Sequence, residues 1–231
     1  RGVYRWGALP LPKTRRRGFR IGSDAGTKGS ERRYPANPVR LTEASVWTEA
    51  PATHRRVNMT RSLTIIQPLT FTFKDDGAIP NSSLPLLVYR AAVPGDPDAI
   101  ERIFGNNAWP PAWRNGVYPF HHFHANTHEV LGIARGEVEV LFGGAQGEVL
   151  KVQAGDVVVI PAGVGHCNKR QSPDLLVVGG YPAAAPSPDL HKGEPREYPE
   201  VVRSVAAVAV PPEDPVSGTG GPLVQIWSRS G

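Results

Sequence analysis

The sequence predicts an all-β fold, an antiparallel sandwich or barrel of short strands with a few short helices. Three observations carry that expectation. Between Gly116 and Lys169 short apolar or alternating runs recur, closed by glycine turns at Arg135-Gly136, Gly143-Gly144, Gly147 and Gly155. Glycine (25) and proline (24) together exceed a fifth of the 231 residues, which favours turns and short strands over long helices. No helical periodicity interrupts these runs, which argues against alternating strand–helix–strand units.

Taken in order, LTIIQPLTFTF (63–73) is rich in β-branched and aromatic residues and reads as a strand. Turns follow at Lys74-Asp75-Asp76-Gly77 and Pro80-Asn81, and Leu84 to Arg90 reads as a short buried strand. Asp96-Pro97 predicts a helix start, an N-cap followed by proline at the first helical position. That helix would carry Ile100, Ile103 and Phe104 and stop at Gly105-Asn106-Asn107. Trp109 to Asn115 reads as irregular, its two tryptophans lining a pocket or plugging a barrel end.

Further strands are expected at Glu129–Ala134, Glu137–Phe142, Val149–Val152, Val157–Ile160, Val164–His166 and Leu175–Gly179. Pro182 to Pro188 reads as a linker, Tyr198 to Val208 as a short amphipathic helix, and Pro222 to Trp227 as a closing strand.

The net charge of +5 misleads as a whole-chain property. Residues 1–58 hold 13 Lys and Arg against 4 Asp and Glu, while the remainder is acidic by four charges. The basic excess therefore gives no reason to expect nucleic-acid or membrane partners of the globular part. Residues 1–58 lack sustained periodicity and hold few aliphatic residues able to form a core, so a disordered extension is the expectation. A transit peptide would suit the arginines, but Asp24, Glu31, Glu43 and Glu49 weaken it. Met59, the only methionine, directly precedes the first strand-like segment, so a folded product beginning there is expected. Residues 59–231 then form one domain. The lone Cys167 excludes an intrachain disulfide framework and fits a reducing, cytoplasmic setting.

The chemistry concentrates in Tyr118 to Glu129, YPFHHFHANTHE. In an extended segment side chains at i and i+2 share a face, which sets His122 and His124 together. A turn through Ala125, Asn126 and Thr127 brings Glu129 back on the next strand. Two imidazoles and a carboxylate facing one point suit a divalent metal, with His166 as the candidate fourth ligand. Alternation turns His121, His128 and Cys167 the other way, although His121 or His128 could still orient a ligand. Tyr118, at an even offset from His122, and His128 are the catalytic candidates, and Arg114 could meet an anionic substrate.

These spacings carry a family resemblance. Gly116, His122-x-His124, Glu129 and Gly136 match the first cupin motif at every position, and Gly155, Pro161-x-Gly163 and His166 match the second. The family's asparagine four residues after that histidine is here Arg170, with Asn168 nearby at another offset. With DDGAIPN, LPLLVYR and the terminal DPVSGTGGPL, the chain resembles the YjlB-like cupins from about Phe71 to Trp227; Ser217 stands where that tail would carry a tyrosine.

The resemblance implies a double-stranded β-helix (jelly-roll) barrel with its metal-site core over residues 116–180. It implies the ligands His122, His124, Glu129 and His166 around a divalent transition metal: Fe, Mn, Ni, Cu or Zn. The expected function is a metal-dependent enzyme on a small molecule, an oxygenase first and an isomerase second. The alternative is a non-catalytic module that binds a metabolite through its metal. Dimerisation through barrel edges is a further implication of the family.

Overall fold

The computed structural model describes residues 66–230. Expectations about the basic extension, the start at Met59 and residues 63–65 lie outside them. Among the described residues the fold is all-β with three short helices, as the strand pattern predicts.

One sheet contains six antiparallel strands: β1 (Leu69–Phe71), β2 (Leu86–Tyr89), β3 (Pro111–Asn115), β4 (Glu129–Arg135), β7 (Val157–Ile160) and β9 (Leu176–Gly180), in the order β1-β2-β7-β4-β9-β3. The second contains β5 (Glu137–Phe142), β6 (Glu148–Gln153) and β8 (His166–Gln171), in the order β6-β5-β8. A small ribbon pairs β10 (Glu213–Asp214) with β11 (Gly218–Thr219). Helix α1 spans Pro97–Asn106, α2 Tyr198–Ala207 and α3 Pro222–Trp227.

The sequence patterns follow from what each face covers. Leu86, Val88, Leu131, Ile133, Val158, Ile160 and Val177 meet Val138, Val140, Phe142, Leu150 and Val152 between the two sheets. The other face of the six-stranded sheet buries Leu87, Tyr89, Val130, Val157, Val159 and Val178 under Ile100, Phe104, Leu223 and Trp227 of the helices. A strand covered on both faces has no polar side, hence the unbroken VVVI of β7. Strands β5 and β6 have one open face and alternate. Gly132 sits where α1 crosses β4; a Cβ there would come within 2.6 Å of Ile100 Cγ2.

Helix α1 begins as expected, with Asp96 Oδ1 accepting from the Ala99 N–H at 2.7 Å. Three expectations fail. The strand expected at Val164–His166 only begins at its last residue and runs on as His166–Gln171. Trp109–Asn115 is not irregular throughout, because Pro111–Asn115 pairs with β9 as β3. Its prolines hide the pattern, yet Pro111 is tolerated at the first position of an edge strand, with a register shift before Trp113. Pro222–Trp227 is a helix, not a strand. Proline at its first turn suits a helix start, and Leu223 and Trp227, four apart, bury one face together.

The C-terminal tail is organised by buried Asp214. Its carboxylate accepts from the backbone N–H groups of Val216 (2.8 Å), Ser217 (3.0 Å) and Leu223 (2.9 Å) and from the Tyr89 hydroxyl at 2.5 Å. Four donors on one carboxylate offset the cost of burying it. The serine at 217 contributes through its backbone, so the tail closes without a tyrosine there.

Candidate metal centre

The two histidine-bearing segments meet as a β-bridge. The His122 N–H donates to the His166 carbonyl at 3.2 Å, and the His166 N–H returns to the His122 carbonyl at 2.9 Å. The Gly163 N–H ties the same strap to the His124 carbonyl at 2.8 Å. Gly163 has φ +87°, a region open to glycine, and a Cβ there would strike the Asn81 carbonyl oxygen at 2.4 Å. Glu129 opens β4 opposite Ile160, the last residue of β7, and His166 opens β8 opposite Phe142. The site thus lies at one end of the space between the sheets.

His122, His124, His166 and Glu129 are all buried there. The His122 and His166 ring centres are 4.0 Å apart, and that of His124 is 6.0 and 6.2 Å from them. The His122 Nδ1 faces the Phe120 carbonyl at 3.1 Å, the His166 Nδ1 the Val164 carbonyl at 3.3 Å, and the His124 Nδ1 the Asp189 carbonyl. A carbonyl only accepts, so each Nδ1 carries a proton and Nε2 is the nitrogen left to face a cation. His124 Nε2 lies 3.6 Å from Glu129 Oε1 and His166 Nε2 3.2 Å from Oε2, an oxygen buried without a hydrogen-bond partner.

Lone pairs of nitrogen and carboxylate oxygen facing each other require a cation between them, a proton or a metal ion. In this protonation balance burial pushes His122 down to about 3, followed by its neighbour His166. Burial also opposes the charged forms of His124 and Glu129, but their mutual pairing, with His166 adding to Glu129, prevails: His124 is raised and Glu129 is held below the usual carboxylate range.

Donors about 2.1 Å from one ion at tetrahedral angles lie about 3.4 Å apart, between the two separations found. Among the described residues no three such side chains are yet closed on one point as a finished shell. His124 and His166 stand at such spacings from Glu129, His122 packs against His166, and the Nδ1 atoms of all three rings are anchored as metal-bound histidines require. The donor set fits a divalent transition ion.

The carboxylate has an anchor that the sequence reading missed. The Tyr181 hydroxyl donates to Glu129 Oε1 at 2.9 Å and accepts from Trp113 Nε1 at 3.1 Å, with the Trp113 ring laid flat over Gly179. Burial and the Glu129 charge raise the Tyr181 hydroxyl well above its ordinary range, so it remains a donor. Asp189 was also missed; its carbonyl holds His124 while its Oδ1 accepts from the Ala125 N–H at 2.7 Å. The His191 ring bridges Asp189 (3.1 Å) and Glu197 (3.0 Å), locking the segment at the start of α2.

The remaining candidates separate cleanly. His128 points to the opposite side, accepting from the Ala162 N–H at Nδ1 (3.0 Å) and donating from Nε2 to the Ala209 carbonyl (3.3 Å). Burial lowers it to about 4, so it is a neutral structural pin with neither nitrogen free. His121 is half-buried, and burial followed by Lys169 lowers it. Cys167 is buried, opposite Leu141. Tyr118 is 38% exposed at the mouth, its ring edge-on to His122 at 5.1 Å. Arg114 is committed to Glu101 (2.6 Å) and Asp98 (2.5 Å) of α1. Trp109 faces the outer core, donates from Nε1 to the Glu213 carbonyl, and lines an apolar cavity of about 520 Å³ beside His128. Arg170 pairs across with Glu139, and Asn168 Nδ2 donates to the Val117 carbonyl at 3.3 Å.

A family model described as Cupin matches residues 113–186, the stretch that contains all four candidate ligands and Tyr181. The chain is 43% identical over 161 residues to the uncharacterised protein YjlB of Bacillus subtilis, spanning 69% of this chain and 96% of YjlB. Among solved structures, the polyketide cyclase RemF of Streptomyces resistomycificus is similar at 17% identity and TM-score 0.27, over 52% of this chain and 83% of that one. The Bacillus subtilis oxalate decarboxylase OxdC is similar at 19% identity and TM-score 0.23, over 47% of this chain and 20% of that one. No helix among the described residues is long and apolar enough to cross a membrane. With YjlB spanned almost end to end, and the family match falling on the histidine and glutamate cluster, the chain belongs to the cupin family.

Proposed function

We propose that this cupin is a metal-dependent enzyme acting on a small molecule, with His122, His124, Glu129 and His166 holding a divalent transition ion. One observation carries the reading: His124 and His166, pinned at Nδ1 by backbone carbonyls, turn Nε2 toward the buried Glu129 carboxylate whose Oε2 lacks a partner, and the His122 ring, pinned the same way, lies 4.0 Å from that of His166. Such an ion would supply either one-electron chemistry with O₂, as in an oxygenase, or Lewis-acid polarisation of a carbonyl, as in an isomerase. The residues favour the first. An isomerase needs a protein base beside the substrate; of the two catalytic candidates read from the sequence, His128 is occupied by Ala162 and Ala209 on the far side, and Tyr118 is a phenol. Tyr181 holds the carboxylate, Asp189 holds His124, and the apolar walls between the sheets exclude water from the ligands' far side.

Anaerobic loading with Fe(II), followed by O₂ uptake with thiols, diketones and catechols, tests the assignment. Substrate-dependent O₂ consumption is expected. Tight small-molecule binding without turnover under any metal would instead make the chain a binding module.

A further inference from the structure

The mouth of the candidate centre carries an unusual group of exposed side chains. Tyr118 and Phe120 are 38% and 37% exposed, and their rings stack at 5.0 Å and 13°. Both lean on the His122 ring, with centroids 5.1 and 5.6 Å away. These two rings form a contiguous, partly exposed apolar surface beside a buried polar cluster, the kind of surface a small molecule can cover. Over the Phe120 ring, 4.6 Å from its centre, stands the Lys192 ammonium.

Lys192 has a fixed position and a free charge. The preceding residue, His191, is bridged to Phe123 backbone to backbone in both directions, at 3.1 and 3.0 Å. Its ring is tied to Asp189 and Glu197, which removes those two carboxylates as partners for the ammonium. Among the described residues no carboxylate lies within ion-pair distance of Lys192. Arg114, the cation singled out in the sequence for this task, is already neutralised by two carboxylates of α1. The mouth therefore offers one unpaired cation, an aromatic wall, and the histidine cluster immediately behind that wall.

We propose that Tyr118, Phe120 and Lys192 form the recognition subsite for a small organic carboxylate with a planar, unsaturated body. The carboxylate pairs with the Lys192 ammonium, and the body rests against the exposed parts of Phe120 and Tyr118. This rests on the metal-dependent reading, since a divalent ion with a single carboxylate ligand would leave the centre positive and reinforce the preference for an anion. Charge-assisted pairing to an ammonium fixes the orientation, and the aromatic wall adds affinity without selecting one ring type.

The test uses Zn(II)-loaded full-length protein, with metal content measured on each sample, and calorimetric titration with benzoate and with its neutral isostere benzamide. Benzoate is expected to bind about tenfold more tightly than benzamide, the scale of one charge-assisted contact. Lys192→Met should bring the two close to parity, Lys192→Arg should retain the preference, and Phe120→Ala should weaken both probes alike. Retained metal with an unchanged benzoate preference in Lys192→Met overturns the subsite and leaves the metal assignment standing. A Lys192-dependent preference in protein that holds no metal supports the subsite and overturns the metal assignment. No saturable benzoate binding by the parent protein overturns the subsite.

Discussion

Tyr181→Phe isolates the anchoring of the carboxylate, because it deletes one oxygen and keeps the ring. That oxygen donates to Glu129 Oε1 at 2.9 Å and accepts from Trp113 Nε1 at 3.1 Å. A hydrogen bond to a charged acceptor contributes about 1.5–3 kcal/mol, which corresponds to a loss of roughly 10–100-fold in affinity for anything that needs the carboxylate held in place. Zn(II) affinity measured against a competing chelator should fall by that range. The metal-free fold should also lose about 1.5–3 kcal/mol, because it already makes the same bond to Glu129 and the Trp113 N–H loses its acceptor with it. Restoring a hydroxyl elsewhere on the ring would not help, since the wall formed by Trp113 over Gly179 fixes where the oxygen must be. A Zn(II) affinity within twofold of the parent, with Trp113 and the fold undisturbed, would refute the claim that Glu129 binds metal in the position Tyr181 sets.

Further predictions bear on face, packing and pH. His124→Ala should abolish metal retention, while His121→Ala should leave it intact; equal loss in both would invert the assignment of faces. Gly179→Ala places a Cβ 2.0 Å from Trp113 Cε2, so the indole must leave its seat; chemical denaturation should show a loss of about 1–3 kcal/mol, typical of overpacking, and parental stability would contradict the packing. Burial and then the Asp214 charge raise Tyr89 far above its ordinary range. The unfolded chain therefore loses this proton first, near pH 10, and the stabilisation from neutral Tyr89 is complete below that pH and lost above it, by about 1.4 kcal/mol per pH unit. Stability measured from pH 9 to 11 should fall less steeply in Tyr89→Phe, and identical slopes would count against the buried pair.

Much of the site is legible in the sequence because it depends on local spacing. His122 and His124 share a face by strand geometry alone, and the glycines that bracket them set the turns. The two-sided burial of the larger sheet is visible in VVVI for the same reason. What stays hidden is what pairs at long range. Val130 lies opposite Gly180, and this register brings Tyr181 alongside Glu129. Nothing within a few residues of either position reveals it. The anchor from Asp189 and the placement of Lys192 come just after the proline-rich stretch that reads as linker, and they are fixed by long-range contacts: the His191 bridge to Phe123 and the Asp189 bonds to Ala125 and Asn126. The helix at Pro222 has a simpler cause: in six residues PLVQIW fits both periods, and the contact of Leu223 and Trp227 with α1's side of the core decides between them.

The central claim is that this pocket holds a divalent transition ion, and elemental analysis of protein purified without added metal tests it most directly. At neutral pH, where the imidazoles are free to bind, about one equivalent of transition metal per chain is expected, dropping to background in His166→Ala. Less than about a tenth of an equivalent of every transition metal in the parent protein, with no uptake when Mn(II), Fe(II) or Zn(II) is supplied, would contradict it.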